Sequence, residues 1–139
     1  MGHQGAITVV VIIDKNYKHM NSKKPIYLVF SCSGVADVGE MTDMAARRMN
    51  REGMATMSCL ASIAAAEPGI TFNAQIASKI LVIDGCPKKC ASTTFHKAGF
   101  TRFAQFDLSE IGMLKGKSAP TNERVQEVMR HGVAMLKGD

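Results

Sequence analysis

Four cysteines carry the most distinctive chemistry in this 139-residue chain, and their spacing is regular. Cys32, Cys59 and Cys86 recur at equal intervals of 27 residues, and Cys90 follows four positions after Cys86, across Pro87. Thiolate sulfur is a soft ligand, so a set of four suits a tetrahedral ion, zinc above all. Zinc ribbons usually supply two close pairs, whereas here two ligands would come singly from separate segments. An iron-sulfur cluster takes the same donors, but this spacing matches neither common ferredoxin pattern, so it is the less favoured cofactor. A thiol-redox reading expects Cys-x-x-Cys, one residue shorter than the interval from Cys86 to Cys90.

The elements that must position these thiols can be read from hydrophobic pattern and turn residues. The run from Ile26 to Ser31 is almost continuously apolar, as in a parallel strand covered on both faces, and it stops at Cys32. Ser33-Gly34 makes a turn. Asp37 with Glu40 has capping-box spacing for a helix to about Asn50, with Met41, Ala45 and Met49 inward and Gly53 as terminator. A second strand, Met54 to Ser58, stops at Cys59. Leu60 to Ala66 starts a helix that Pro68-Gly69 breaks, and Thr71 to Ser78 supplies another piece.

The third strand, from Lys79, runs into Asp84-Gly85-Cys86-Pro87. A helix start there puts Cys86 in the first turn and Cys90 one turn later, both near the positive end of the dipole with Lys88 and Lys89 beside them. Phe100 to Phe106 reads as a fourth, edge strand, with Phe100 and Phe106 on the same side. Leu108 to Ala119 reads as a long loop. Pro120 to Leu136 is the last helix, with Val125, Val128 or Met129, Val133 and Leu136 on its buried face.

An interval of 27 is close to one strand-helix-strand unit, so Cys32, Cys59 and Cys86 occupy equivalent positions at the ends of successive strands. Right-handed crossovers make those strands parallel, and the four sulfurs then converge on the carboxyl rim where such sheets bind ligands. Packed but unliganded thiols would not predict these strand-end positions. Asp84, Asp37, Ser31 and Ser33 fall on the same rim. They either hydrogen-bond and orient the sulfurs, or, for the two aspartates, close a turn and cap a helix. The fold expected is α/β: a three-layer, Rossmann-like sandwich around a mainly parallel four-stranded sheet of order 2-1-3-4.

Composition narrows the rest. With 46% hydrophobic and 21% charged residues the chain has the balance of a soluble globular protein. Residues 21–139 read as a single domain. His19-Met20 resembles a junction, so residues 1–20 read as a leader or non-native segment. Its apolar run, Ala6 to Ile13, is too short to span a bilayer and would form an additional strand if ordered. No membrane association and a cytoplasmic location are expected. The net charge of +5 is dispersed, with no tryptophan and no aromatic platform, so no nucleic-acid partner is expected. Gly116-Lys117-Ser118 lacks the upstream glycine of a phosphate loop, because position 111 is Ile111. His96 and His131 have no partner at ligand spacing.

Three segments together carry a family resemblance: Ser31-Cys32-Ser33-Gly34-x-Ala36-Asp37-Val38-Gly39-Glu40, Met57-Ser58-Cys59-Leu60-Ala61, and Asp84-Gly85-Cys86-Pro87-x-x-Cys90-Ala91. With them the chain resembles the DGC-domain family, named for its Asp-Gly-Cys tripeptide and regarded as zinc-binding. The resemblance covers about Lys24 to Val128 and implies that Cys32, Cys59, Cys86 and Cys90 are metal ligands. The function expected is a zinc-binding protein using the site for structure, metal handling or sensing, with the metal ion as its partner. The alternative is a thiol- or zinc-dependent enzyme with an open metal position or a Cys86 nucleophile.

Overall fold

β-Branched runs punctuated by glycine and proline set the strand and helix boundaries across residues 24–138, which the computed structural model describes. The expected leader and the strand at Ala6 to Ile13 lie outside the described residues. In chain order the elements are β1 (Tyr27–Ser31), α1 (Asp37–Arg51), β2 (Thr56–Met57), α2 (Leu60–Ala64), α3 (Pro68–Ile76), β3 (Lys79–Asp84), α4 (Cys90–Lys97), β4 (Ala104–Asp107), a 3-10 turn (Leu108–Ile111) and α5 (Asn122–Lys137). The sheet order is β2-β1-β3-β4 with every pair parallel, as the crossover argument requires. β1 and β3 pair over five positions, from Tyr27 with Lys79 to Ser31 with Ile83, and form the spine of the sheet.

Alternation along the two central strands divides the interior into two layers. Val29, Leu81, Ile83 and Phe106 face α1 and α5 and meet Met41, Ala45, Met49, Val125, Val128 and Leu136. Leu28, Phe30, Ile80 and Val82 face the other way and meet Ile63 of α2, Ala74 of α3 and Phe95 of α4. Phe30 and Phe95 pack edge to face with ring centroids 4.7 Å apart. Each such fully buried side chain contributes about 1.5–3 kcal/mol, so both layers are held by burial and the rim loops are carried on a firm base.

Local boundaries differ from the sequence expectation where capping chemistry takes over. α1 ends in a Schellman motif: Gly53 adopts φ 70°, its N–H donates to the Asn50 carbonyl (3.2 Å), and the Met54 N–H donates to the Met49 carbonyl (2.9 Å). Met54 is thereby tied to the helix end, and β2 begins only at Thr56. Pro68 starts α3 instead of interrupting a helix, because a missing N–H costs nothing in the first turn, and the Glu67 carboxylate caps that turn from the Ile70 amide (2.7 Å). Phe100 and Phe103 both stack on Phe95, while Phe106 lies in the opposite layer, so Phe100 and Phe106 do not share a face and β4 starts at Ala104. The loop after β4 opens with a capping box between Asp107 and Glu110.

Gly132 allows α5 to approach the sheet, since a Cβ there would lie 2.7 Å from Leu81 Cδ2. Gly132→Ala is therefore expected to lower stability by about 1–3 kcal/mol through overpacking, seen as a lower urea midpoint with unchanged slope.

Candidate functional site

Parallel pairing brings the four cysteines to one edge of the sheet by different local routes. Cys32 directly follows β1 and its N–H continues the ladder to the Ile83 carbonyl (3.1 Å). Cys59 is the N-cap residue of α2, two positions past β2, and is exposed. Cys86 lies two positions past β3, half-buried against the α1 and α5 layer. Cys90 is the first residue of α4 and is exposed. All four are free thiols.

Cys86 departs from the expected helical position. Pro87 disfavours a helical conformation in the residue before it, and a turn closed by the Lys89 N–H on the Cys86 carbonyl (3.0 Å) precedes α4. Lys89 adopts φ 53° and serves as N-cap without a side-chain bond. Cys86 and Cys90 therefore bracket a turn and do not sit one helical turn apart.

Each residue of the Asp-Gly-Cys tripeptide has a separate task. Asp84 is 1% exposed, and its carboxylate accepts the amides of Ala91 (2.8 Å) and Ser92 (3.2 Å) together with the Ser92 hydroxyl. The strand end thus supplies the cap that α4 lacks locally. Gly85 donates its N–H to Cys32 Sγ (3.3 Å) and packs on the first turn of α1, where a Cβ would lie 3.0 Å from the Val38 carbonyl carbon and 3.1 Å from the Gly39 nitrogen. Gly39 is equally confined, because its Cβ would fall 2.5 Å from the Gly34 oxygen. The turns after β1 and β3 are locked around α1 with no room for side chains between them.

Cys32 packs against the layer formed with α2, α3 and α4, and its hydroxyl contact comes from α1. Thr42, fully buried, donates its hydroxyl to the Gly39 carbonyl (2.7 Å), which leaves Oγ1 to accept from the Ser33 N–H (3.4 Å) and from the Cys32 thiol (3.5 Å). Ser31 and Ser33 share a hydroxyl contact of 2.6 Å, Ser33 Oγ donates to Asp43 Oδ1 (2.9 Å), and Asp43 Oδ2 accepts from Arg47 Nε (2.6 Å). Thr42, Asp43 and Arg47 were not among the sequence candidates. A visible signal for Thr42 was a hydroxyl within the apolar stripe of Met41, Ala45 and Met49. Cys59 is held as a more acidic thiol than usual, first by the Ser62 hydroxyl and amide, with a further contribution from the Ala61 amide.

Cys32 and Cys59 line a single cleft of about 890 Å³, and Cys86 and Cys90 lie outside its wall. Among the described residues no three His, Cys, Asp or Glu side chains are placed together as a metal-ligating group. Four free thiols on one rim have the donor chemistry of a soft-metal site, but among the described residues they are not gathered into the single group expected from their spacing.

A family model described as DGC domain matches residues 28–132, a span containing all four cysteines. The chain belongs to the DGC-domain family. This DGC domain is 32% identical over 91 residues to a Pseudomonas aeruginosa protein named anaerobic and virulence modulator AnvM, an alignment covering 66% of this chain and 70% of that one. No solved structure matches the domain. No helix among the described residues is long and apolar enough to cross a membrane.

Asp37 does not cap its own helix through the expected box; the N-cap is Ala36, which makes no side-chain bond. The Asp37 carboxylate instead accepts the Gly116 (2.9 Å) and Ser118 (2.9 Å) amides as well as that of Val38 (2.8 Å), tying the loop before α5 to the start of α1. The Gly116 and Ser118 bonds hold its pKa below the usual carboxylate range.

Two outcomes follow for the rim of the DGC domain. A depressed folded-state pKa stabilises above the unfolded value, about 3.9, and that stabilisation fades as pH falls through the lower folded value. Asp37→Asn should accordingly reduce the urea midpoint at pH 7, and that difference should shrink as pH falls below the unfolded value and through the lower folded one. Asp84→Ala should cost about 1–2 kcal/mol and speed hydrogen exchange at Ala91 and Ser92 more than at the Phe95 amide.

Proposed function

We propose that this DGC domain is a metal-binding regulatory protein in which Cys32, Cys59, Cys86 and Cys90 hold one zinc ion. The observation that carries the reading is positional: every cysteine of the chain is a free thiol at the carboxyl edge of three adjacent parallel strands. The relative's name, a modulator, supports a regulatory use of such a site. Zinc would supply a tetrahedral clamp across otherwise separate segments. Cys32 and Cys86 belong to the turns locked around α1, and the exposed Cys59 and Cys90 are the ligands that approach them.

This division makes the site a means of joining loops. Ser31, Ser33 and Asp84 contribute by fixing the backbone that carries Cys32 and Cys90, and Asp37 by fixing the opposite wall of the rim. Gly85 holds Cys32 through its amide, a bond that favours a charged sulfur over a neutral one. Four thiolates around a divalent ion leave about two negative charges, and Lys88, exposed between Cys86 and Cys90, is placed to offset part of that. Closure of the rim on metal binding is the event a regulator could report.

A thiol-enzyme reading has one observation in its favour, the exposed and acidified Cys59. The two readings separate in one experiment. Protein purified without added metal should contain about one zinc per chain by elemental analysis, and all four thiols should resist iodoacetamide until a chelator is added, after which Cys59 reacts first. Each Cys→Ser variant should lower zinc affinity about tenfold or more. Full alkylation of the zinc-loaded protein, or unchanged affinity in all four variants, would overturn the metal assignment and leave the thiol-enzyme reading standing.

A further inference from the structure

The cleft beside Cys32 and Cys59 has a second chemistry that a thiolate metal site does not use. One wall is cationic and comes from a single face of α1, with Arg47, Asn50 and Arg51 at helical spacing. Another is apolar, formed by Leu60, Ala61 and Ala64 of α2 with Ile70 of α3.

Arg47, itself exposed, is oriented by a chain of contacts that begins at a buried serine. Ser31, 3% exposed, contacts Ser33; Ser33 donates to one oxygen of Asp43; and the other Asp43 oxygen takes Arg47 Nε. Because Nε is the group engaged, both Nη atoms of Arg47 are without a hydrogen-bond partner among the described residues. That leaves the fork end of the guanidinium for a planar or tetrahedral anion. Arg51 has no ion-pair partner among the described residues, so Asp43 neutralises only one of the two cations. Asn50 spends its carbonyl on the Met57 N–H (2.9 Å), which leaves its amino group as a donor.

We propose that this cleft binds a small amphiphilic organic anion, its carboxylate on the Arg47 fork with Arg51 beside it and its apolar body against Leu60, Ala61, Ala64 and Ile70. Two cations against one carboxylate distinguish the cleft from a simple hydrophobic slot, and the Asp43 contact at Nε gives the exposed Arg47 its direction. The geometry also disfavours a cationic ligand, since both Asp43 oxygens are already engaged. Arg47 and Arg51 are the binding residues, and Ser33 and Asp43 are positioning residues that act through Arg47. A ligand seated here lies next to two sulfurs of the rim, which couples anion occupancy to the state of those thiols.

The test uses the full chain as purified, with octanoate, octanol and octylammonium as the ligands and amide chemical shifts as the readout. Octanoate should saturate with shifts at Cys59, Leu60, Ala61 and Ala64, and should bind about tenfold more tightly than octanol. Arg47→Gln should reduce octanoate to the level of octanol while leaving octanol unchanged. Arg47→Lys, which keeps the charge without the fork, should fall between them, and Ser33→Ala should weaken octanoate alone. Equal affinity for octanoate and octanol, preference for octylammonium, or shifts confined to other surfaces would overturn the proposal. Zinc content and thiol protection are measured separately, so failure here leaves the metal reading untouched.

Discussion

Parallel pairing of β1 with β3 is the constraint from which the rest of this domain follows. A parallel strand cannot be reached by a hairpin, so each connection must cross back over the sheet and re-enter at its opposite end. The segments that leave β1, β2 and β3 are therefore delivered to one margin, whatever their separation in the chain. Cys32, Cys59 and Cys86 share an edge because each follows a strand of one sheet, and the nearly equal length of the intervening units turns that geometry into an equal spacing.

Delivery to one margin is coarse, and backbone amides refine it. The two buried or rim carboxylates, Asp84 and Asp37, each gather amides from a different segment: one ties the end of β3 to α4, the other ties α1 to the loop ahead of α5. Between them Gly39 and Gly85 let the start of α1 meet the turns after β1 and β3 at distances that leave no space for a side chain at either glycine. The result is a rim in which Cys32 and Cys86 are set by the fold, whereas Cys59 and Cys90 project from the starts of helices. Two of the four thiols are thus partly buried in the turns and two are exposed.

Much of this was legible in the residues. The apolar runs at Ile26–Ser31 and from Lys79 have the pattern of doubly covered strands, right-handed crossovers imply parallel pairing, and the expected order 2-1-3-4 is the one the sheet adopts. The stripe on α1 was likewise plain from Met41, Ala45 and Met49. What escaped was decided by partners distant in sequence. Asp37 looks like a local cap because Glu40 follows at the right interval, yet its amides come from Gly116 and Ser118, which no local pattern reveals. Asp84 likewise serves a helix that begins after an intervening turn. The position of Cys86 depended on weighing Pro87 as a restriction on its predecessor against Pro87 as the first residue of a helix. Arg47 was hidden for another reason: a charged residue on a helix is ordinary, and only the hydrogen bonds behind it give it a direction.

The strand margins carry one more implication. Among the described residues the outer strands of the sheet are β2, with two residues, and β4, with four. Unsatisfied ladder groups are what allow neighbouring molecules to add strands to one another and grow into insoluble stacks. Margins this brief give an incoming chain little to grip, which disfavours edge-to-edge pairing between copies of the domain.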